Sequence, residues 1–453
     1  MIDKEIVIIG AGITGLTAGY YLKKAHKDIL VIDTRNRVGG VINSVQDGEF
    51  LYEEGPNTGV LTSIATADLF EDLGDKCPPL LAGEGVDKRY ICKHSKLHPL
   101  PLNIIQAAFT PLFTWYDKFR VLLEPFRKRA TDPHQTLASM VRRRLGKSFL
   151  NYAVDPFILG IYSGDPAKLI PKYALPKLHI LEQEYGGFIR GAIKKYRTPK
   201  TLEEQKITRK IFSCKKGLVS LPNAIAEEIG DDKFLLGAKE VTITREESHF
   251  IVTMKNALGE EFKIKTKKVI TTTGASSLPD LLPFVKKDQL TPITNLSYAK
   301  VIEVSVGYKK WDGDALDGFG ALIPFKEQRD ILGILYMSTL FKNRAPEGGA
   351  LLSIFIGGVR REELTQLTDS EIKVILKKEI SELLSTDAEP NLITIGRYQR
   401  AIPQYYADSQ DRFNAIDKIE TQYPGLILGG NIRDGIGMSN RIQQGRNIAD
   451  SLT

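Results

Sequence analysis

The chain opens on an alternation of strand-like and helix-like apolar patterns. Residues 5–9 read EIVII, a short β-branched run typical of a buried strand, and residues 28–32 (DILVI) form a second such run. Between them, apolar positions from Thr14 to about Ala25 recur with helical spacing. This order predicts the βαβ opening of a doubly wound sheet, whose first turn is built to receive a phosphate group.

The later patterns predict two more regions. Residues 101–210 carry long helical stretches rich in aromatic and basic side chains, and residues 233–270 alternate apolar and polar positions as a β-meander does. Runs between residues 297 and 358 predict a second, largely antiparallel sheet. Residues 426–430 and a helix from about Ser439 repeat the opening strand–glycine–helix form, so we expect them to rejoin the first sheet.

The composition is that of an ordinary globular protein. The chain has 453 residues, 42% of them hydrophobic, which is enough for a large core and two or three domains. Its three cysteines have no paired spacing, so we expect a reducing, cytoplasmic setting and neither a disulfide framework nor a zinc site. No apolar run reaches eighteen residues, so we expect a protein that is soluble or peripheral on a membrane.

The positive charge is concentrated in one segment. The net charge is +7, and residues 117–216 hold 22 Lys and Arg against 9 Asp and Glu. Such a segment suits an anionic membrane surface, an acidic substrate or a solvated helical face, and we do not expect nucleic-acid binding. The sequence leaves the oligomeric state open, with a homodimer as one option.

The strongest chemical signal is the glycine turn after the first strand. Residues 10–15 read GAGITG, in which the glycines allow a tight turn and close approach to a pyrophosphate at a helix N-terminus. Asp33 follows Gly15 by 18 residues, where an acid accepts hydrogen bonds from a ribose hydroxyl. These features together predict dinucleotide binding.

A second signature favours FAD over NAD. Residues 37–40 (RVGG) match the R-x-G-G pattern of glycine-rich flavoproteins, in which the arginine donates to the pyrophosphate and the glycines let the backbone approach the flavin. Residues 54–57 (EGPN), residues 429–431 (GGN) and residues 435–438 (GIGM) resemble later flavin segments of that superfamily. The predicted cofactor-binding residues are Gly10, Gly12, Ile13, Thr14, Gly15, Asp33, Thr34, Arg37, Gly39, Gly40, Gly55, Pro56, Asn57, Thr58, Val241, Gly430, Asn431, Ile436, Gly437 and Met438.

Further segments resemble the protoporphyrinogen/coproporphyrinogen oxidase family. They are residues 159–166 (LGIYSGDP), 318–324 (GFGALIP), 355–358 (FIGG), 401–405 (AIPQY) and 430–435. The resemblance implies that Gly160 lies beside the reacting ring, that Phe319 and Leu322 sandwich a pyrrole, and that Arg89 meets a propionate. These residue types suit a flat apolar macrocycle that carries carboxylates.

The resemblance also implies the reaction. A porphyrinogen loses a hydride to flavin N5, the flavin is reoxidised by O₂ with release of hydrogen peroxide, and three such rounds give the porphyrin of haem biosynthesis. A haem-pathway enzyme is then a candidate partner. The sequence departs from the family pattern at Val41, at Asn43 and in the residues after Tyr405. The choice between protoporphyrinogen and coproporphyrinogen as substrate is therefore left open.

We therefore predict a mixed α/β (α+β) fold with a Rossmann-like FAD-binding domain, a β-rich substrate domain and a helical insertion. The FAD-binding domain covers residues 1–86, 211–285 and 396–453. The substrate domain covers residues 87–100 and 286–395. The basic, membrane-associating helical domain covers residues 101–210.

Other functions fit the same scaffold. An amine oxidase or a carotenoid-type desaturase is the main enzymatic alternative, and a non-catalytic prenyl-protein binder is the alternative of another class. No nucleophile motif or paired-carboxylate motif occurs, which agrees with chemistry carried by the flavin rather than by a side chain. His94 and His98 have i,i+4 spacing, but prolines crowd them and no third ligand is evident, so we predict no metal site.

Overall fold

The structure, a computed structural model, describes residues 1–83, 85–199, 201–256 and 258–453. Its strands are β1 (Ile2–Ile9), β2 (Ile29–Asp33), β3 (Asn43–Asp47), β4 (Phe50–Glu54), β5 (Gly59–Val60), β6 (Leu80–Leu81), β7 (Arg89–Lys93), β8 (Lys96–Pro99), β9 (Ile211–Ser213), β10 (Phe234–Leu236), β11 (Lys239–Glu246), β12 (His249–Lys255), β13 (Glu261–Thr271), β14 (Tyr298–Tyr308), β15 (Gly320–Leu322), β16 (Gly333–Tyr336), β17 (Ala350–Gly357), β18 (Leu392–Pro403) and β19 (Leu426–Leu428).

The α-helices surround two large sheets. They are α1 (Ile13–Lys24), α2 (Ile64–Leu73), α3 (Ile104–Phe109), α4 (Trp115–Leu122), α5 (Leu137–Arg144), α6 (Lys147–Phe149), α7 (Asp155–Tyr162), α8 (Pro171–Ala174), α9 (Pro176–Tyr185), α10 (Phe188–Arg197), α11 (Leu202–Gln205), α12 (Ser220–Ile229), α13 (Leu278–Leu281), α14 (Lys287–Thr294), α15 (Met337–Leu340), α16 (Asp369–Leu384), α17 (Ser409–Gln422) and α18 (Met438–Asp450).

The first large sheet joins the two ends of the chain. Its order is β10-β2-β1-β13-β12-β11, and β19 pairs with the end of β13 beyond β12. The strands β2, β1, β13 and β19 run parallel: Ile9 lies opposite both Ile32 and Thr271, and Thr271 lies opposite Leu428. The carboxyl ends of these strands therefore meet at one edge, as the repeated strand–glycine–helix form predicted.

The first and last long helices pack tightly behind that edge. A Cβ atom at Gly445 of α18 would lie 2.5 Å from the carbonyl oxygen of Thr14 in α1, so the two backbones touch. Both helices begin at the shared sheet edge, α1 after β1 and α18 after β19. The turns that precede them are consequently neighbours.

The second large sheet is mostly antiparallel, in the order β18-β14-β17-β16-β15-β7-β8. One face of β14, formed by Ile302, Val304 and Val306, packs in one cluster with residues of α16, which covers that face. The opposite face carries Glu303 and Ser305 and turns toward β4, where Gly307 meets the ring of Phe50. The sheet includes β18 as far as Pro403, so its edge strand crosses the predicted boundary after residue 395.

The segment between β8 and β9 is helical and holds α3 to α11, between residues 104 and 205. Its core is partly ionic: the fully buried guanidinium of Arg144 is paired with the carboxylates of Glu124 and Glu182. Within the described ranges, no helix is both long and apolar enough to cross a bilayer.

Candidate active site

The first glycine turn follows β1 and leads into α1. Gly10 has a φ of +111°, and a Cβ there would lie 2.5 Å from the hydroxyl oxygen of Thr272, while a Cβ at Gly15 would lie 2.0 Å from the carbonyl oxygen of Gly10. Gly12 caps α1 without a side-chain hydrogen bond, and a Cβ at Gly12 would meet no atom within 4 Å. The turn thus leaves open space in front of the free N–H groups of the helix, which suits a pyrophosphate.

The predicted adenosine end lies beside this turn. Asp33, at the end of β2 next to Thr34, accepts hydrogen bonds from the N–H groups of Ala11 (2.7 Å) and Arg35 (2.8 Å). Val241 lies in a β-bulge, since β11 places two residues opposite one of β12 between Lys239 and Thr242. Its backbone groups are therefore outside the regular ladder, as a main-chain contact to adenine requires.

The R-x-G-G segment packs directly on the first turn. The N–H of Gly39 donates to the carbonyl of Ala11 (2.8 Å), and a Cβ at Gly40 would lie 3.1 Å from the Cα of Gly12. The guanidinium of Arg37 donates to the carbonyls of Val38 (3.1 Å) and Ile42 (3.0 Å). Arg37 braces its own loop in this structure, and the contact of Arg37 with a pyrophosphate stays a prediction.

The second glycine turn follows β19. Gly430 has a φ of +87°, and a Cβ there would lie 2.7 Å from the carbonyl oxygen of Thr272. The side chain of Gln444 accepts the Gly430 N–H (2.8 Å), and Arg441 donates to the Gly430 carbonyl. Asn431 accepts a hydrogen bond from the Tyr298 hydroxyl (3.3 Å). Side chains of helix α18 thus hold this turn in place through hydrogen bonds to its backbone.

The N-terminus of α18 faces the loop that holds Gly55, Pro56, Asn57 and Thr58. Gly437, between Ile436 and Met438, is the N-cap of α18 and makes no side-chain hydrogen bond. The hydroxyl of Ser439, in the first turn of this helix, donates to the carbonyl of Val60. Gly55 has a φ of +109°, and a Cβ there would lie 2.3 Å from the carbonyl oxygen of Val41. The start of α18 is therefore bonded to β5, the strand that follows the loop of residues 55–58.

The side chain of Asn57, a predicted cofactor-binding residue, points to the second sheet. Its amide donates to the carboxylate of Glu303 and accepts from the hydroxyl of Ser353 (2.8 Å), and the residue is buried. The N–H of Gly55 also donates to Glu303 (3.0 Å). The amide of Asn57 is thus bonded to the second sheet, which leaves the backbone of this loop for a cofactor.

Sequence reasoning missed the residues that hold these turns. Thr272 touches both glycine turns, Gln444 and Arg441 fix Gly430, and Glu303 fixes the Gly55 loop. Glu303 had a visible signal, because it is the single charged residue in the run 301–306 (VIEVSV). Burial raises the pKa of Glu303 to about 7 even though Asn57 and Gly55 donate to it.

The four predicted substrate residues also meet, in two pairs. The guanidinium of Arg89 lies 5.1 Å from the ring centre of Phe319, and β15 pairs with β7 so that Gly320 lies opposite Arg89. A Cβ at Gly160 of α7 would lie 2.6 Å from a methyl group of Leu322. Residues of three distant segments are thus adjacent in two pairs, Arg89 with Phe319 and Gly160 with Leu322, and we call these four residues the substrate wall. Phe319 and Leu322 themselves pack in different apolar clusters.

This wall adjoins the flavin-facing loop. Phe319 packs in the same apolar cluster as Phe50 and Tyr52 of β4, the strand that leads directly into Gly55. The surface that suits a flat macrocycle and the loop that suits an isoalloxazine are consequently carried by adjoining elements.

Solved structures share this architecture. A crystal structure assigned provisionally as a protoporphyrinogen oxidase, from Exiguobacterium sp. 255-15, superposes with a TM-score of 0.81 at 21% identity, covering 99% of this chain and 98% of that one. Reduced UDP-galactopyranose mutase superposes with a TM-score of 0.74 at 16% identity, over 100% and 94% of the two chains. The fold is that of a two-sheet flavoprotein.

The family follows from the sequence comparison. The model of the family described as flavin containing amine oxidoreductase matches residues 13–453. The chain belongs to this family, so it is an oxidoreductase and its cofactor is a flavin.

Curated relatives match along the whole chain. The chloroplastic protoporphyrinogen oxidase of Oryza sativa subsp. japonica is 30% identical over 100% of this chain and 89% of the relative. The mitochondrial protoporphyrinogen oxidase of Nicotiana tabacum is 29% identical over 99% and 94%. The coproporphyrinogen III oxidase of Bacillus subtilis (strain 168) is 26% identical over 99% and 98%.

The geometry of Gly12 gives a test of the cofactor site. We expect Gly12→Val to leave the apoprotein folded, because the backbone there is extended (φ −74°) and the added side chain enters open space. The same side chain would occupy the pyrophosphate position, so flavin affinity should fall by at least about 100-fold. Flavin fluorescence titration measures the affinity, and circular dichroism checks the fold.

The matched control is Gly15→Val. Its side chain would collide with the carbonyl of Gly10, so this variant should lower the melting temperature of the apoprotein as well. Wild-type flavin affinity in Gly12→Val would refute the placement of the pyrophosphate.

Proposed function

We propose that the chain is an FAD-dependent oxidase that converts a porphyrinogen, protoporphyrinogen IX or coproporphyrinogen III, to the porphyrin in haem biosynthesis. The reaction proceeds in three two-electron steps with O₂ as acceptor. The observation that carries the proposal is the substrate wall, formed by Arg89, Gly160, Phe319 and Leu322, beside the Gly55 loop. The names of the full-length relatives support the same substrate class.

The choice of FAD rests on the extent of the site. The open space at Gly12 accounts for a pyrophosphate, and Asp33 and Val241 beyond it provide an acid and a free backbone segment for an adenosine. A flavin mononucleotide has no adenosine, so it would leave Asp33 and Val241 without a ligand.

The protein's own residues act by position rather than by covalent chemistry. The bound flavin supplies the hydride acceptor. Phe319 and Leu322 offer apolar faces that hold a macrocycle flat and exclude water, and the absence of a Cβ at Gly160 lets a methyl group of Leu322 pack directly against α7. Arg89 offers a guanidinium that pairs with a propionate and sets the orientation of the ring.

An aerobic assay tests the activity. Each porphyrinogen is offered to the purified yellow protein, and porphyrin fluorescence is followed together with hydrogen peroxide. We expect three molecules of peroxide for each porphyrin formed, since six electrons leave the ring in pairs. Amine substrates and a carotenoid precursor serve as controls for the alternative enzymes, and failure to oxidise either porphyrinogen would overturn the assignment.

Replacement of Arg89 tests the substrate wall. We expect Arg89→Ala to raise the KM for the porphyrinogen by roughly 10- to 100-fold, because a charge-assisted hydrogen bond contributes about 1.5–3 kcal/mol. Steady-state kinetics measure the change, with kcat much less affected. The KM of Arg89→Lys should lie between those of the wild type and Arg89→Ala. Lys96 is an exposed cation on the neighbouring strand β8, and Lys96→Ala should have the KM of the wild type. An unchanged KM in Arg89→Ala would remove Arg89 from the site.

We also propose that the helical region binds an anionic membrane surface. Trp115 is 69% exposed, Phe119 61% and Phe126 79%, and they lie within or next to the basic segment 117–216. Large exposed aromatic side chains cost free energy in water, whereas at a bilayer interface they insert while basic side chains meet lipid headgroups.

Vesicle co-sedimentation tests this surface. We expect binding to phosphatidylglycerol vesicles at low salt, weaker binding at high salt and little binding to phosphatidylcholine. The triple variant Trp115→Ser, Phe119→Ser, Phe126→Ser should bind at least about tenfold more weakly, because it removes three large exposed aromatic side chains that would insert. Val374→Ser, which alters a 70% exposed residue on α16, is the control. Equal binding by the triple variant would contradict the proposal.

A further inference from the structure

A buried carboxyl group joins the flavin-facing loop to the second sheet. Glu303 is only 5% exposed and lies on the face of β14 that turns away from α16. Neighbouring positions on the same face carry Ser305 and Gly307, while the alternate positions of the strand are aliphatic core. A carboxyl group in such a place needs several hydrogen-bond donors to offset its loss of water.

Those donors come from separate segments. Glu303 accepts the backbone N–H of Gly55 at 3.0 Å on one oxygen and the amide of Asn57 on the other. Asn57 in turn accepts from Ser353 of β17, and Tyr398 of the neighbouring strand β18 lies near Glu303. Glu303 thus links the loop to β14 directly and, through Asn57, to β17.

Burial alone does not explain an acid at this position. A second buried carboxyl group, Glu53, lies close enough to oppose the charge of Glu303, which adds to the cost of ionising it. Well-packed apolar residues often replace buried charged groups with no loss of stability. The acid is the group that can accept two N–H donors at once and hold a backbone loop in one place.

We propose that Glu303 is a positioning residue for the oxidation, and that it holds residues 55–57 against the substrate sheet so that flavin and porphyrinogen meet at a fixed separation. The proposal rests on the function proposed above. Hydride transfer depends steeply on the separation of donor and acceptor, and a misplacement of about 1 Å can cost 100-fold in rate. Glu303 acts through the Gly55 loop and does not touch the reacting atoms.

Glutamine at this position separates positioning from folding. In Glu303→Gln the side chain keeps its shape but has one acceptor oxygen, so it cannot accept from Gly55 and Asn57 on separate oxygens as the carboxylate does. The amide of Asn57 can turn over, since the hydroxyl of Ser353 can accept as well as donate. The variant should therefore fold, with the loop held less firmly.

Titration of Glu303 provides a signature that a merely structural residue would lack. The titratable groups that face it are Glu53 of β4 and Tyr398 of β18, and β17 presents Ser353 there. Burial raises the pKa of both Glu53 and Tyr398, and Arg344 lies 3.5 Å from Glu53. The pKa of Glu303, about 7, places its change of charge within the range of an ordinary assay. As the pH rises through that value, the carboxylate becomes the stronger acceptor for both N–H donors.

The experiment compares wild type, Glu303→Gln and Glu379→Gln as FAD-loaded enzymes. Glu379 is also buried, at 1% exposed, but it pairs with Arg329 on the far side of the substrate sheet. We expect Glu303→Gln to lower kcat about 10- to 100-fold with KM changed less than about threefold. Between pH 5.5 and 8.5, the flavin absorption band of the wild type should shift with an inflection near pH 7, and that of Glu303→Gln should not.

The spectroscopic readout needs no substrate, so it tests Glu303 even if neither porphyrinogen is oxidised. A wild-type kcat together with a wild-type pH profile in Glu303→Gln would overturn the proposal, as would equal effects in Glu379→Gln. If Glu303→Gln fails to fold, Ser353→Ala carries the test, because it loosens Asn57 while leaving the carboxyl group in place. It should lower kcat severalfold and move the inflection of the flavin band, and an unaltered band and kcat would count against the proposal.

Discussion

The site depends on the close approach of backbone where three parallel strands end. Thr272, just beyond β13, is in contact with Gly10 on one side and Gly430 on the other. A Cβ on either glycine would lie 2.5–2.7 Å from Thr272, and both have φ values that other residues avoid. Because no side chain intervenes, α1 and α18 begin side by side at this edge of the sheet.

The junction between the two large sheets combines apolar and polar contacts. Phe50 of β4 packs against Gly307 of β14, and Phe319 joins the same cluster, which supplies the hydrophobic part of the junction. Glu303 and Asn57 supply a buried polar part whose hydrogen bonds have specific directions. Apolar contact permits sliding at little cost, whereas a hydrogen-bonded carboxyl group fixes the loop in register. The loop between β4 and β5 is therefore held more precisely than packing alone would achieve.

The residues of the substrate wall were predicted from sequence motifs, and the structure places them close together. Arg89, Gly160, Phe319 and Leu322 were chosen by resemblance from three segments, and β7, β15 and α7 bring them into contact. Their roles toward a porphyrinogen stay predictions, since proximity does not show what they bind. The motif at Asn57 was less informative, because its amide is taken up by Glu303 and Ser353. A motif specifies where the backbone turns, but the partners of a side chain depend on elements far away in sequence.

The sequence by itself determined the βαβ opening, the two glycine turns, the helical region and the antiparallel sheet, because periodicity and glycine positions are local properties of the chain. It also indicated the family to which the chain belongs. Only the tertiary structure decided that β18 continues in the second sheet to Pro403, that Thr272 separates the two turns, and that Glu303 joins the loop to the sheet. These features arise from strand register and from contacts between residues far apart in the chain, which no local pattern encodes.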